Sequence, residues 1–521
     1  MAGIGREDEN LDIEGGDGIQ SRGTATAQDL VVEQSGGVQS QQEGSSSRRH
    51  KEVNLKCLKG EGQDEEEEDC MDPSAPLLSV GMSFDERDAS LGELYRSVEV
   101  EYAGGGSWWS KVKPFLGPGT LIAVGYMDPG NWATDIQAGS AYNYDLLFFV
   151  LASSIMAMLF QTLSVRLGLA SRTDLAQACR MHFPKAVTIV LWLMAQIAIC
   201  ACDLAEVIGS ALALKLLFSI PITYGVLITG ADVLLVLALG GNQMRILEGI
   251  ILALMATITV CFIVEIYFSQ PDMAGILRGC FLPQSSLITD SNRLFLGVGI
   301  LGATVMPHNL YLHSSLVLTR NVARNPRAVK EAVVFSTLDS NVSLLLAFFV
   351  NAAILVLSAA TFNRSGHKDV ASIEEAASLM DRVLGKKMAS VLFGTALLAS
   401  GQQSTLTGTL AGQVVMDGFL HFKIEPAMQR LVTRTSAIAP ALAVLLLQGD
   451  SAVDTLLLWS QVVLSLQLPF AIIPLVYFTS SHSIMGEHAS STFLCMLSWA
   501  ITSLVVGLNL LLIYTGLASL T

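Results

Sequence analysis

Residues Tyr126–Asn131 read YMDPGN, inside an otherwise apolar run, PFLGPGTLIAVGYMDPGNWATDI, from Pro114 to Ile136. An acid, a proline and a glycine are poor residues for a helix in hydrocarbon. Pro129 removes an amide donor and its ring clashes with the preceding turn. Gly130 loosens the backbone further. The carbonyls before such a break lose their helical partners. Lipid does not tolerate that, so the break must face protein or a watery cavity. Freed carbonyls beside a carboxylate, Asp128, and a neutral amide, Asn131, are a natural set of oxygen ligands for a cation.

The rest of the chain places this break in a membrane. Of 521 residues, 51% are hydrophobic and 15% charged, against about 25% charged in an average soluble protein. Mean hydropathy is +0.51. Apolar runs recur from about residue 114 onward, many near the length of about 20 residues that crosses the hydrocarbon core. The runs lack the period-two alternation of a barrel, and an open sheet would leave its edges unsatisfied in lipid. The expected fold class is therefore an all-α polytopic membrane protein. About eleven spans are predicted: 115–141 (broken), 145–168, 186–215, 222–240, 246–269, 294–320 (broken), 331–360, 388–418, 431–449, 453–478 and 491–516.

Residues 1–107 read as a disordered acidic cytosolic tail, and 108–521 as the transmembrane domain. The tail is rich in Gly, Ser, Gln and Glu and includes DEEEEDC at Asp64–Cys70. It holds much of the net charge of −15, which therefore says little about partners. No nucleic-acid partner is expected, and nothing specifies an oligomeric state. The first 50 residues lack an apolar core, so the first span is expected to serve as the insertion signal. Cys200 and Cys202, at i,i+2, point to different helix faces and do not suggest a metal pair.

Lysine and arginine in the loops give a modest bias that puts the N-terminus in the cytosol. Arg166, Arg172, Arg180, Lys185, Arg245, Arg320, Arg324, Arg327, Lys330, Lys423 and Arg430 fall on the cytosolic side, and Lys215, Arg278, Arg293, Arg364, Lys368, Arg382, Lys386 and Lys387 on the other. The sequon NRS at Asn363–Ser365 lies in an outer loop and makes Asn363 a glycosylation candidate. An odd number of spans puts the C-terminus outside or in a lumen. The plasma membrane and an endosomal or vacuolar membrane both fit.

A second break occurs in the sixth span, GATVMPHNLYLHSS. It lies five spans after the first, so the two would correspond in a chain built of two five-span halves. An odd number of spans per half inverts the second half. Paired interrupted helices of this kind point to a binding site at the midplane of a secondary transporter. Here Met306 adds a thioether and Ala303 a freed carbonyl. Oxygen alone would suit magnesium or calcium; the soft sulfur shifts the preference toward manganese, iron, cobalt, zinc or cadmium. One carboxylate among neutral ligands binds weakly and reversibly, as a carrier requires. An acid inside a membrane is itself a mark of function.

In the third span, CDLAEVIGS sets Asp203 and Glu206 at i,i+3 on one helical face. Two buried acids need a cation or a proton, and Arg434, in LVTRTSAIAP of the ninth span, is the expected partner. His308 borders the second break, and histidine titrates near physiological pH. His308 and His313 are five residues apart, about 140° around a helix, and so do not form a two-histidine metal site. Both read as proton-linked or gating residues.

Together DPGN at Asp128–Asn131, MPHN at Met306–Asn309 and ASGQQSTLTGTLAGQ at Ala399–Gln413 resemble the Nramp (natural resistance-associated macrophage protein) family over roughly residues 114–516. The resemblance implies a leucine-transporter-like fold, two inverted five-helix repeats plus one further helix. It also implies alternating access and proton-coupled import of manganese or ferrous iron into the cytosol, with no cofactor. It carries metal ligation onto Asp128, Asn131, the Ala303 carbonyl and Met306, and adds the Gly125 carbonyl and Gln461. It makes Asp203, Glu206 and Arg434 a proton exit route. Gly125 stands where relatives often have alanine, and Gln403 where serine is expected. The competing readings are a leucine-transporter-like amino-acid carrier, whose substrate carboxylate Asp128 would repel, and a non-transporting membrane sensor. No nucleophile–base pair or phosphate loop suggests an enzyme.

Overall fold

The computed structural model of the protein describes residues 96–100, 108–239, 244–284, 286–368, 370, 372–384, 388–420 and 426–518. They belong to one compact unit within Met71–Thr521. Apart from 96–100, the expected acidic tail lies outside the described residues.

Every expected span is helical. The first is Pro118–Gly125 and Pro129–Tyr142; the second to fifth are Leu147–Ser171, Lys185–Phe218, Ile222–Leu239 and Met244–Ser269. The sixth is Ser291–Thr304 and Pro307–Leu316. The seventh to eleventh are Pro326–Ser358, Ala389–Leu420, Pro426–Gln448, Val453–Ser480 and Thr492–Ala518. Among the described residues, seven helices are long and apolar enough to cross a membrane: the second, third, fifth, sixth, seventh, tenth and eleventh spans. The eighth carries the polar run Gly401–Thr409, whose residues, apart from the half-buried Gln402, are buried.

The packing shows the internal repeat. If spans 1–5 correspond to 6–10, the contact of span 3 with span 10 should mirror that of span 8 with span 5, and both are present. Span 2 against the second half of span 6 likewise mirrors span 7 against the second half of span 1. Spans 3 and 8 pack on each other, as do 4 and 9. Both broken spans are therefore enclosed by other helices, where an interrupted backbone can be satisfied.

Both breaks are made by the same local chemistry. The first half of span 1 ends at Gly125. Asp128 then turns extended, with φ −70 and ψ 164, and caps the second half by accepting from the Asn131 amide. Pro129 takes the first helical position, where a missing amide costs nothing. In span 6, Met306 is the extended residue, with φ −80 and ψ 126, and Pro307 starts the new helix. The freed carbonyls in span 1 find side chains. Tyr126 O accepts from Asn351 Nδ2 at 2.7 Å. Met127 O accepts from Trp132 Nε1 at 3.3 Å and from the Ser400 hydroxyl.

Two features near the tail and loops were not expected. Val98–Glu99 forms a short strand, β1, parallel to Arg320–Asn321, β2, just after span 6. Val100 is buried there with Phe115, Val165, Val317 and Val322. Short helices also occupy the loops at Leu175–His182, Met273–Phe281 and Ile373–Leu384. Asn363 lies in a π-helical turn ending span 7, half-buried, with its side-chain amide on Ser140 O at 2.6 Å.

Candidate metal site

The two breaks face each other. Asn131 Nδ2 donates to Asp128 Oδ1 at 2.7 Å and to the Ala303 carbonyl at 3.1 Å. One amide thus joins the carboxylate of the first break to the freed carbonyl of the second. Met306 and Ala303 are fully buried, as are Asp128 and Asn131, so this centre is closed to solvent. Gln461, on span 10, joins it: a Cβ on Gly130 would fall 1.8 Å from the Gln461 amide nitrogen. Gly125 is buried at the end of the first half-helix.

Several acceptors here have no hydrogen-bond partner. They are Asp128 Oδ2, Gln461 Oε1 and Asn309 Oδ1, all buried. A buried acceptor left unpaired costs free energy. Asp128 Oδ2 and Gln461 Oε1, beside the facing helix breaks, suit a cation. Among the described residues no group of three His, Cys, Asp or Glu side chains converges to hold a metal. The centre is instead one carboxylate among neutral oxygen and sulfur donors.

The acid pair is assembled as its spacing suggested. Arg434 Nη1 lies 3.5 Å from Asp203 Oδ1 and 3.3 Å from Glu206 Oε2, with all three side chains buried. Ser404 Oγ donates to Glu206 Oε1 at 2.7 Å, and Arg434 Nη2 donates to Thr405 Oγ1 at 2.8 Å. Cys202 links this group to the breaks: its Sγ lies 3.4 Å from Glu206 Oε1, and it packs with Met306, Ala198 and Leu464. Cys200 contacts Ser436 instead, so the two cysteines do face apart.

The two histidines have different surroundings. His313 Nδ1 meets Gln161 Oε1 at 2.8 Å, and Gln161 Nε2 donates to the Tyr126 hydroxyl at 2.8 Å. Because the amide oxygen only accepts, Nδ1 of His313 carries the proton. These two hydrogen bonds bolt span 6 to span 1 through span 2. His308 is buried beside the second break, with Nδ1 unpartnered.

Sequence reasoning passed over Tyr126, Gln161, Ser404, Thr405 and Asn309, and the part that Ser400 plays. Three of these lie in the run ASGQQSTLTGTLAGQ. Its hydroxyls hold the first break (Ser400), Glu206 (Ser404) and Arg434 (Thr405). Gln403 is buried with neither amide atom hydrogen-bonded.

The profile of one family, described as natural resistance-associated macrophage protein-like, matches residues 119–515, which take in both breaks, the acid pair and the hydroxyl run. The chain belongs to the Nramp family. Its relatives include a divalent metal cation transporter, MntH, from Nostoc sp., 50% identical over 436 residues, 84% of this chain and 98% of that one. Another protein of that name, from Xanthomonas campestris pv. campestris, is 48% identical over 85% of this chain and 99% of its own. Among solved structures, the Eremococcus coleocola manganese transporter superposes with TM-score 0.76 at 38% identity, covering 81% of this chain and 90% of its own. MhsT, solved with L-phenylalanine, shares the fold at TM-score 0.54 and 15% identity, covering 76% of this Nramp chain and 98% of its own. The fold is the leucine-transporter-like one, and the Nramp chain carries its two breaks at the positions expected from the sequence.

Proposed function

We propose that this Nramp protein is a secondary transporter that imports divalent transition-metal ions, manganese or ferrous iron foremost, into the cytosol with protons. The observation that carries this reading is the meeting of Asp128 Oδ1 and the Ala303 carbonyl on one amide. Two oxygens from two broken helices converge there, with the Met306 thioether beginning the next half-helix. The names of the relatives support metal as the cargo.

The ion sheds most of its water to Asp128, Asn131, Met306 and backbone carbonyls, with Gln461 and the Gly125 carbonyl available as further donors. The thioether favours soft ions, so cadmium, zinc and cobalt are accepted alongside manganese and iron. The proton passes from Asp128 toward Asp203, Glu206 and Arg434, and Cys202 marks the packed contact between the two groups. His308 borders that path. Because the centre is closed to solvent, transport requires each side to open in turn. The Tyr126–Gln161–His313 bolt closes the side on which span 1 begins, which the loop charges make cytosolic.

An amino-acid carrier of the same fold is disfavoured by the Asp128 carboxylate at the breaks. Uptake of radioactive manganese into proteoliposomes tests the reading. Wild type takes up the metal, and Asp128→Asn, which keeps the helix cap, loses uptake about a hundredfold or more. Unchanged uptake in Asp128→Asn overturns it.

A further inference from the structure

We infer that Asn309 is a positioning residue that holds the Met306 sulfur for the cation, and that the absence of a side chain at Gly125 makes room for it. The inference rests on the transport reading above and deepens it.

Asn309 is the third residue of the half-helix that Met306 caps. In an ordinary cap the first residue's side chain accepts from this turn, and a polar third residue reaches back to the cap. Met306 makes no such bond. The relation is reversed: Asn309 Nδ2 reaches back to Met306 Sδ at 3.6 Å. Both residues are fully buried, and Asn309 Oδ1 has no partner. A thioether is a weak acceptor. A buried amide whose donor goes to sulfur and whose oxygen is unpaired contributes little to stability. Its effect falls on the sulfur. Methionine has three rotatable bonds and adapts to many gaps. The amide restricts that freedom and occupies one of the two sulfur lone pairs, leaving the other for a cation.

Gly125 makes the arrangement fit. A Cβ there would sit 2.3 Å from Asn309 Nδ2 and 3.2 Å from Oδ1. Alanine at 125 would therefore push the amide off its place. The amide can yield, because it is the end of a side chain, and the sulfur then loses its restraint. Gly125 thus acts on the second break from the first.

Competitive uptake of cadmium, manganese and calcium into proteoliposomes tests this. The proteins are wild type, Met306→Ala, Asn309→Ala, Gly125→Ala and the double variant Met306→Ala/Asn309→Ala. Asn309→Ala lowers the cadmium-to-calcium preference about threefold to fivefold, in the same direction as Met306→Ala, with Gly125→Ala matching it. In the Met306→Ala background Asn309→Ala changes that preference less than about twofold, because it acts through the sulfur. An equal loss for all three ions, or effects that multiply in the double variant, overturns the proposal. Those outcomes leave the transport reading intact, whereas absent metal uptake in wild type overturns that reading itself. For any variant too unstable to transport, methyl NMR of 13C-methionine protein in detergent decides. The Met306 methyl reports one rotamer in wild type and an average in Gly125→Ala; an unchanged methyl signal contradicts the proposal.

Discussion

The side-chain amide of Asn131 donates to the Ala303 carbonyl at 3.1 Å and so ties the first helix break to the second. The same nitrogen holds Asp128 Oδ1 at 2.7 Å. A hydrogen donor between two oxygens stands where a cation would neutralise them, and in the proposed site the amide oxygen of the same side chain would become a ligand once the group turns.

Removing that amide should loosen the site. Asn131→Ala is expected to lower manganese uptake about tenfold or more, through a raised half-saturation concentration. Asn131→Asp should do the opposite to binding: a second carboxylate lowers the half-saturation concentration, while slower release lowers the maximal rate. Concentration dependence of initial uptake separates the two variants.

Arg434 neutralises two buried acids, at 3.5 Å from Asp203 and 3.3 Å from Glu206. Taking away one partner of a buried ion group costs about 3–5 kcal/mol. Arg434→Ala should lower the melting temperature in detergent, and Arg434→Ala/Glu206→Gln should recover part of the loss. A pH-sensitive dye inside proteoliposomes should also show metal-driven proton entry reduced in Arg434→Ala.

The bolt from Tyr126 through Gln161 to His313 predicts a change in opening. Tyr126→Phe removes one buried hydrogen bond, worth about 0.5–1.5 kcal/mol, so openings become about twofold to tenfold more frequent. Hydrogen–deuterium exchange should quicken in Pro118–Gly125 and Pro307–Leu316 and stay unchanged in the eleventh span.

The β1–β2 pairing ties the segment before span 1 to the end of span 6. Val100 is buried against Phe115, Val165 and Val322. Deleting residues 1–107 should speed exchange around Leu318–Val322, whereas deleting 1–90, which spares β1, should not.

The spans and their breaks were legible because they are local. Apolar runs set each helix, and Pro129 and Pro307 each mark a helix start from their own position. Asp203 and Glu206 were legible from i,i+3 spacing, and Arg434 from the need for a cation. What escaped depends on contacts far apart in sequence between uncharged groups. Gln161, Ser404 and Thr405 look like ordinary polar residues inside helices until the fold sets them against Tyr126, Glu206 and Arg434. His313 reads as proton-linked or gating from its chemistry, but its partner Gln161 shows only in the fold. Val98–Glu99 carried no strand signal, because two residues are too few for a period.

The proposed transport cycle stands or falls on whether both breaks build one metal site. Anomalous diffraction from crystals soaked in manganese tests it most directly. One strong peak is expected within coordination distance of Asp128, Asn131, the Ala303 carbonyl and Met306. A peak beside Asp203 and Glu206, or at the surface with none between the breaks, would contradict it.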